Sequence, residues 1–496
     1  MASLLERAGD NNGGPGEGDV SDRRLVGIDL GIASAHAVRV LDGEGATLVK
    51  RKALPTLESL REIEVAALAG TPAGSRLEVV IEPTGPAWLP IAVFFTTRGH
   101  RVYRVSSAES ADLRRYLSKH AKTNGIDADT LARIPLFHPA GVKPLVLPDG
   151  DAARLDRRVR AADRLTRDIA DRKTRIKALV RQLMPMSPMA GKVTNADLVV
   201  LERWADPNLL VKTGQKRLTA VIAKASNGHL GVDRAEEWLC AAHAAIDLYA
   251  GHQAVAFTDL AAEVATEVRL LRAAKAELAV HATEREDAYC EVDPDGLARS
   301  LPGLAEIGGP ALVATMGDPS RFAKGKQFRS FTGLVPKASE TGDTDRKGQA
   351  MSKAGSSLLR TTLVRAADTA RKQDPQLARI YYVQMVERGK NHLGALCVVA
   401  ANLAERAWIV MNRATPYVIC DIDGRPVTTD EAAAIITERW TVPADVRARR
   451  RNKKGKAPQA ISTRRRQRGD LPQSASSTRD DRHVNPPTDR DQRQIA

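Results

Sequence analysis

The sequence predicts an α/β domain near its start, then a long charged helical region, then a third, mainly helical region. Three observations carry that expectation. Leu25-Val-Gly-Ile-Asp-Leu-Gly31 is a short apolar run with the length and composition of a buried central strand. Strand-like and helix-like segments alternate from it to about Val105. Between Asp151 and Asp293 the apolar positions change to helical spacing in a charged background.

In order along the chain, 25–30 and 36–41 read as strands joined by a short polar turn, and 77–81 as another strand. A helix is expected over 86–97, and a further strand over 100–105 after the stop at Gly99. Leu165, Ile169, Ile176, Leu179 and Leu183 then form one apolar stripe, while Val264, Val268, Leu271 and Leu278 step with the spacing of a coiled-coil seam that Lys275 interrupts. Two long helices are therefore expected to pair, within the chain or between chains, with an ordinary helical bundle as the equal alternative. Leu301-Pro-Gly-Leu-Ala-Glu-Ile-Gly-Gly-Pro310, followed by the apolar 311–316, reads as helix, Gly-rich turn, helix. In one reading the glycines let nucleic acid approach and the second helix turns its positive end to a phosphate, with a purely structural helix-turn-helix as the equal alternative. The expected organisation is a disordered start over 1–22, an α/β domain over 23–145, a helical or coiled-coil segment over 150–293, a C-terminal domain over 295–440 and a basic disordered tail over 446–496.

The chain has 496 residues, with 75 Lys and Arg against 60 Asp and Glu. Eleven of the 22 residues over 447–468 are Lys or Arg with no acid among them, beginning with Arg447, Arg449, Arg450 and Arg451, so this run supplies most of the net charge of +15. A polyanionic partner is expected. Aromatic residues make up only 4%, so stacking on splayed bases is a weak expectation. Cys240, Cys290, Cys397 and Cys420 lie far apart with no C-x-x-C pair, which argues against zinc and a disulfide framework and suggests buried, reduced thiols. No signal-peptide core and no run of 18 apolar residues is present, which predicts a cytoplasmic protein with no membrane partner.

Asp29 carries the chemistry. A carboxylate isolated among Val, Ile and Leu would cost several kcal/mol or give up its charge, whereas a divalent cation favours the charged form. Glu82 follows the strand over 77–81, and Lys122-Thr-Asn-Gly-Ile-Asp-Ala-Asp129 adds Asn124, Asp127 and Asp129. Asn124 and Asp127 share a face if helical, and Asp129 points elsewhere. Acids from separate strands and a helix can hold two magnesium ions about 4 Å apart for an in-line phosphoryl transfer, as an RNase H-like fold would arrange them.

Leu25-Val-Gly-Ile-Asp-Leu-Gly31, Val80-Ile-Glu-Pro-Thr-Gly85, Ala121-Lys-Thr-Asn-Gly-Ile-Asp-Ala128 and Phe331-Thr-Gly-Leu-Val-Pro336 through Met351-Ser-Lys-Ala-Gly355 with Leu359-Arg360 resemble the DEDD transposases of the bridge-RNA-guided insertion-sequence family numbered one-ten. The resemblance runs in order from about Leu25 to Tyr417. It implies a RuvC-like N-terminal domain, a helical coiled-coil segment and a C-terminal transposase domain bearing a nucleophilic serine. It implies an Mg2+-dependent recombinase acting on double-stranded DNA, at donor element ends and target, guided by a structured non-coding bridge RNA. It implies a homo-oligomer, dimer or tetramer, in the bacterial cytoplasm beside the nucleoid. Metal ligands carried over are Asp29, Glu82, Asn124 and Asp127, the third being an acid in the family pattern. The family's Ser-Gly step reads Thr341-Gly342 here with Ser339 two residues earlier, so both hydroxyls stand as nucleophile candidates. Lys337, Arg346, Lys347 and Lys353 are expected on DNA phosphates. Rival readings are a junction-resolving metal-dependent nuclease, a decayed transposase that only binds nucleic acid, and an actin-like ATPase, whose second phosphate loop this sequence lacks.

Overall fold

A computed structural model describes residues 22–83, 85–118, 123–139, 141–189, 191, 193–252, 254–337, 340–341, 344–345 and 349–451. The chain divides into two compact units, Met1–Arg157 and Arg158–Ala496, which are taken separately.

The first unit holds strands β1 (Arg24–Asp29), β2 (His36–Leu41), β3 (Thr47–Ala53), β4 (Leu77–Ile81) and β5 (Arg101–Arg104), with helices α1 (Leu57–Leu68), α2 (Trp88–Thr97), α3 (Ser107–Leu117) and α4 (Asn124–Phe137). The sheet order is β3-β2-β1-β4-β5. Strand β2 runs antiparallel to both its neighbours β1 and β3, and β1, β4 and β5 run parallel to one another. This mixed sheet is consistent with an RNase H-like transposase fold. Sequence patterning does not reveal β3, because it is an edge strand with Lys50, Lys52 and most of its other residues exposed. The helix expected from Pro86 begins at Trp88, with Pro86 in the preceding turn.

Alternation along the central strands separates two faces. Val26, Ile28, Leu30, Val38, Val40, Val79 and Ile81 pack on one side with Leu60, Ile63, Ile91 and Phe95. Leu25 and Leu41 face the other side and meet Ala132, while Val80 and Tyr103 meet Leu131 and Ile134. Helix α4 thus covers the second face. It lies so close that a Cβ on Gly27 would run into the carbonyl oxygen of Ala128 and the backbone nitrogen of Ala132. Gly27→Ala is expected to cost about 1–3 kcal/mol by forcing α4 off the sheet, read as a lower denaturation midpoint. An unchanged midpoint would mean the helix does not need that approach.

The second unit contains α5 (Gly150–Leu183, the unit boundary falling inside it), α6 (Asn195–Trp204), α7 (Pro207–Thr213), α8 (Gln215–Ala225), α9 (Val232–Tyr249) and α10 (Phe257–Val292). Arg158 pairs with Glu284 at 2.8 Å and Arg172 with Glu267 at 3.1 Å. Residue numbers rise along one helix as they fall along the other, so α5 and α10 fold back antiparallel within the chain. Ile169, Ile176, Val180 and Leu183 share a core with Val264, Val268 and Leu271, and α6 to α9 add Leu198, Leu201, Leu210, Ile222 and Trp238. The gap left by Lys275 is filled one residue earlier by buried Ala274. Partial burial, with Lys173 and Arg272 nearby, pushes the Lys275 ammonium below its ordinary pKa.

The rest comprises α11 (Leu297–Ser300), α12 (Gly308–Met316), α13 (Gly325–Phe331), the two-residue strands β6 (Glu340–Thr341) and β7 (Thr344–Asp345), α14 (Ser357–Ala370), α15 (Pro375–Tyr382), α16 (His392–Arg413), α17 (Thr429–Arg439) and α18 (Ala444–Arg449). The expected helix, turn, helix is present, α11 and α12 flanking a turn over 301–307 that holds Gly303, but two of the glycines belong to the second helix. Gly308 and Gly309 lie inside α12, where added Cβ atoms would meet Leu304, Arg299 and Tyr289. Gly303 (φ 79°) leaves no room for a Cβ against the Ala366 carbonyl. These glycines serve packing within the chain.

Helix α16 is long and apolar enough to cross a membrane, yet half of its apolar window is buried, and Val399, Leu403 and Ala407 on it are core residues. The cysteine expectation is also corrected: all four are free, but Cys240 and Cys290 are exposed and Cys397 and Cys420 half-buried. Disorder was expected from Val446; helix α18 instead continues through Arg449, which pairs with Asp445 at 2.7 Å. Residues 1–21 and 452–496 lie outside the described residues.

Candidate active site

The acids are positioned by strand register. Strands β1 and β4 are parallel, with Ile28 opposite Ile81, so the next residues, Asp29 and Glu82, come side by side at neighbouring strand ends, one sheet spacing of about 4.8 Å apart. By alternation Asp29 falls on the face of Leu25, and Glu82 on the face of Val80, the face that α4 covers. Such carboxyl ends are where open α/β sheets place their sites.

Helix α4 starts where Thr123 caps it, the Thr123 hydroxyl accepting from the Ile126 N–H at 3.2 Å. Asn124 is the first, exposed residue and Asp127 lies half-buried in the first turn. Two residues of α3 hold the acids. The Ser110 hydroxyl donates to Glu82 at 2.6 Å, and one turn later Arg114 donates to Asp127 at 2.9 Å. The Arg114 guanidinium offsets one carboxylate charge where several gather. Asp129 pairs with Arg133 at 2.7 Å along α4, away from the face of Asp127. The Arg39 guanidinium lies against Gly125. At the other edge, the Gly31 N–H donates to Nδ1 of His36 at 3.1 Å. Burial lowers the His36 pKa, so its ring is neutral with the proton on Nε2.

Asp29 and Glu82 suit a hard divalent cation, which prefers carboxylate oxygens. Asp127 is already engaged by Arg114, and among the described residues no three His, Cys, Asp or Glu side chains are close enough to hold a metal as they stand. Asn124 can add only a neutral amide oxygen. The strand ends thus supply two neighbouring carboxylates, Glu82 also accepting from Ser110, and a third would require Arg114 to release Asp127. Ser110, Arg114 and Arg39 were not singled out in the sequence, since α3 is a polar helix whose Ser-x-x-x-Arg spacing looks like any solvated face.

The second expected group lies on a hairpin whose base the structure defines. Pro336 bridges Met351, Lys337 N–H donates to the Ala350 carbonyl at 2.9 Å and Ser352 N–H to the Val335 carbonyl at 2.8 Å. Gly333 and Gly355, both at positive φ, interlock: a Cβ on the first would strike the Ala354 carbonyl, and one on the second the Phe331 carbonyl. Arg360 ties the base together, donating to the carbonyls of Lys353 at 3.2 Å and Thr332 at 3.4 Å. Exposed Lys337 and Lys353, the latter in the left-handed region (φ 56°), flank it. Beyond the base, β6 and β7 pair with Thr341 opposite Thr344. Ser339, Arg346 and Lys347 lie outside the described residues. Ser352 donates to the Gly333 carbonyl at 3.4 Å, and Ser356 caps α14 by accepting from Leu359 N–H at 3.2 Å. The acids belong to the first unit and the hairpin to the second.

Comparison with known proteins covers both groups. Residues 26–185 match a family model described as a transposase, and residues 295–382 one described as the transposase IS116/IS110/IS902 family. An uncharacterized 43.6 kDa protein of insertion element IS110 from Streptomyces coelicolor is 23% identical over 406 residues, 79% of this chain and 95% of that protein. A probable family 20 transposase from Pseudomonas aeruginosa is 30% identical over 167 residues, 32% of this chain and 46% of its own. The transposase of element IS1328 from Yersinia enterocolitica is 29% identical over 122 residues, 24% of this chain and 36% of its own.

Proposed function

We propose, from the premise that this chain belongs to the IS110 family of insertion-sequence transposases, that it cuts and rejoins DNA strands through a magnesium-dependent acidic site and a hydroxyl nucleophile. The observation that carries the reading is the register that brings Asp29 and Glu82 to adjacent strand ends beneath the first turn of α4. A divalent cation held by Asp29 and Glu82, and by Asp127 once Arg114 lets go, would supply Lewis-acid stabilisation of charge on the phosphate oxygens.

The chain's own groups do the rest. The hydroxyl of Ser339 or Thr341 bonds to phosphorus, the bond to the sugar oxygen breaks, and that oxygen leaves as a hydroxyl while the nucleophile gives up its proton. The number of phosphoester bonds is unchanged, so reversal reseals a strand without ATP. Ser339 is favoured because a primary alcohol is less hindered than the β-branched Thr341. Lys337 and Lys353, with Arg346 and Lys347, would hold backbone phosphates. Guidance by a structured RNA rests on the family resemblance and on the basic run over 447–468, which adds sequence-independent affinity. A composite site assembled between copies in a dimer or tetramer is the form the family resemblance suggests.

The test is a trap. Incubated with magnesium and a nicked DNA carrying an element end, the full chain should form a covalent protein–DNA adduct. Peptide mapping should place it on Ser339 or Thr341, and the double variant Ser339→Ala, Thr341→Ala should form none. An adduct surviving in the double variant moves the nucleophile elsewhere. A second reading, a relative that binds DNA without cutting it, is favoured by Asn124 and by the hold of Arg114 on Asp127; tight binding with no cleavage in magnesium would select it.

A further inference from the structure

The chain has seven Tyr, seven Phe and five Trp. Tyr116 and Phe137 are the two that are exposed among the described residues, at 79% and 55%. They come from the ends of α3 and α4 and meet edge to face, ring centroids 6.4 Å apart. Two large rings left in water at one spot, in a chain that covers every other ring at least partly, mark a surface made for contact.

Beside them opens a cavity of 270 Å³, just below the about 300–1,000 Å³ range of small-ligand pockets. Tyr103, Leu113, Ile134, Phe137 and Val142 give it apolar walls, and Lys143 stands at its wall as a cation. The acids there are occupied: Glu109 closes the capping box with Ser106, and Asp112 pairs with Arg115. Helix α3 separates this cavity from the acidic site. Ser110 and Arg114 on one side of it bind Glu82 and Asp127, while Asp112, Leu113 and Tyr116 lie toward the cavity and its rim. A helix is about 10–12 Å across, so a strand whose phosphate lies at the acids reaches the cavity within a few nucleotides.

We propose that Tyr116, Phe137 and this cavity take an unpaired base of the DNA strand that flanks the cleaved phosphate, stacking it on the rings with Lys143 on its phosphate. This rests on the reading of Asp29 and Glu82 as a phosphodiester site. Aromatic faces stack on any base, so the site is sequence-tolerant. Position decides for the strand being cut, one helix away. A second copy of the chain is disfavoured because a stable protein interface needs about 800 Å² from each partner, far more than two rings supply.

The experiment measures binding of the full chain to a fluorescent single-stranded deoxyoligonucleotide and to the same sequence as duplex, with chelator present so that no cleavage occurs. Tyr116→Ala and Phe137→Ala should each weaken single-strand binding about fivefold or more, leave duplex binding unchanged, and abolish discrimination against a strand with an abasic position. Tyr116→Phe should restore wild-type binding, which excludes a folding defect. Unchanged single-strand affinity in both alanine variants overturns the proposal. So does a loss seen for the RNA of the same sequence but not for DNA, or a change in sedimentation that assigns the surface to a second copy. Because the readout needs no metal and no nucleophile, failure of wild-type cleavage would count against the function proposed above, while the dependence on Tyr116 would still be read on its own.

Discussion

Asp29→Asn should abolish magnesium-dependent strand cleavage, a loss of at least about 100-fold, since changing even an outer partner of a metal ligand costs roughly 10–100-fold. The substitution removes a charge and keeps the shape. Leu25, Val26 and Ile28, which anchor β1, are untouched and fully buried, so the unfolding midpoint should stay within about 1 kcal/mol of wild type. Glu82→Gln should behave alike, because Glu82 sits at the same level on the parallel neighbour. Two measurements decide the matter: cleavage of an element-end substrate in magnesium, and denaturation of the same preparations. Asp29→Asn cutting at the wild-type rate, or wild type cutting in excess chelator, would sink the metal-site reading.

The largest stability effect is expected at Asp197, whose side chain is fully buried. It accepts from Thr194 N–H at 3.0 Å and the Thr194 hydroxyl at 2.7 Å, closing the capping box of α6. It also accepts from the Arg234 Nε at 3.0 Å and the Trp238 Nε1 at 3.2 Å. Asp197→Ala would leave a mostly buried guanidinium, an indole N–H and a helix cap without their acceptor. Breaking a buried pair from one side costs about 3–5 kcal/mol. Glu237→Ala is the control: Glu237 pairs with the same Arg234 at 2.8 Å but is 55% exposed, and such rim pairs contribute about 1 kcal/mol or less. Chemical denaturation of the full chain compares the two, and equal costs would refute the buried network as a determinant of stability.

The legibility of each part follows from how local its signal is. Strands β2 and β4 could be read because their residues are apolar and flanked by polar turns, whereas β3 is an exposed edge strand whose lysines look like loop. Asp29 stood out because a charge inside a buried run is an anomaly that needs no fold to be seen. Ser110 and Arg114 carried no such mark. The glycines at 308 and 309 were legible as a requirement for smallness, but not for what they make room for, which proved to be Leu304, Arg299 and Tyr289.

By itself, then, the sequence determined an α/β segment followed by helices, the acidic residues at strand ends and helix start, the basic balance and the motifs of a transposase family. These are properties of composition and short period, carried by neighbours in the chain. Only the tertiary structure decided that α5 and α10 fold back on each other within one chain, that Arg114 holds Asp127 while Asp129 turns to Arg133, and that two exposed rings stand behind the helix facing the acids. Each of those depends on register and packing between segments far apart in sequence, where the choice between equally good local patterns is made by which faces can be buried together.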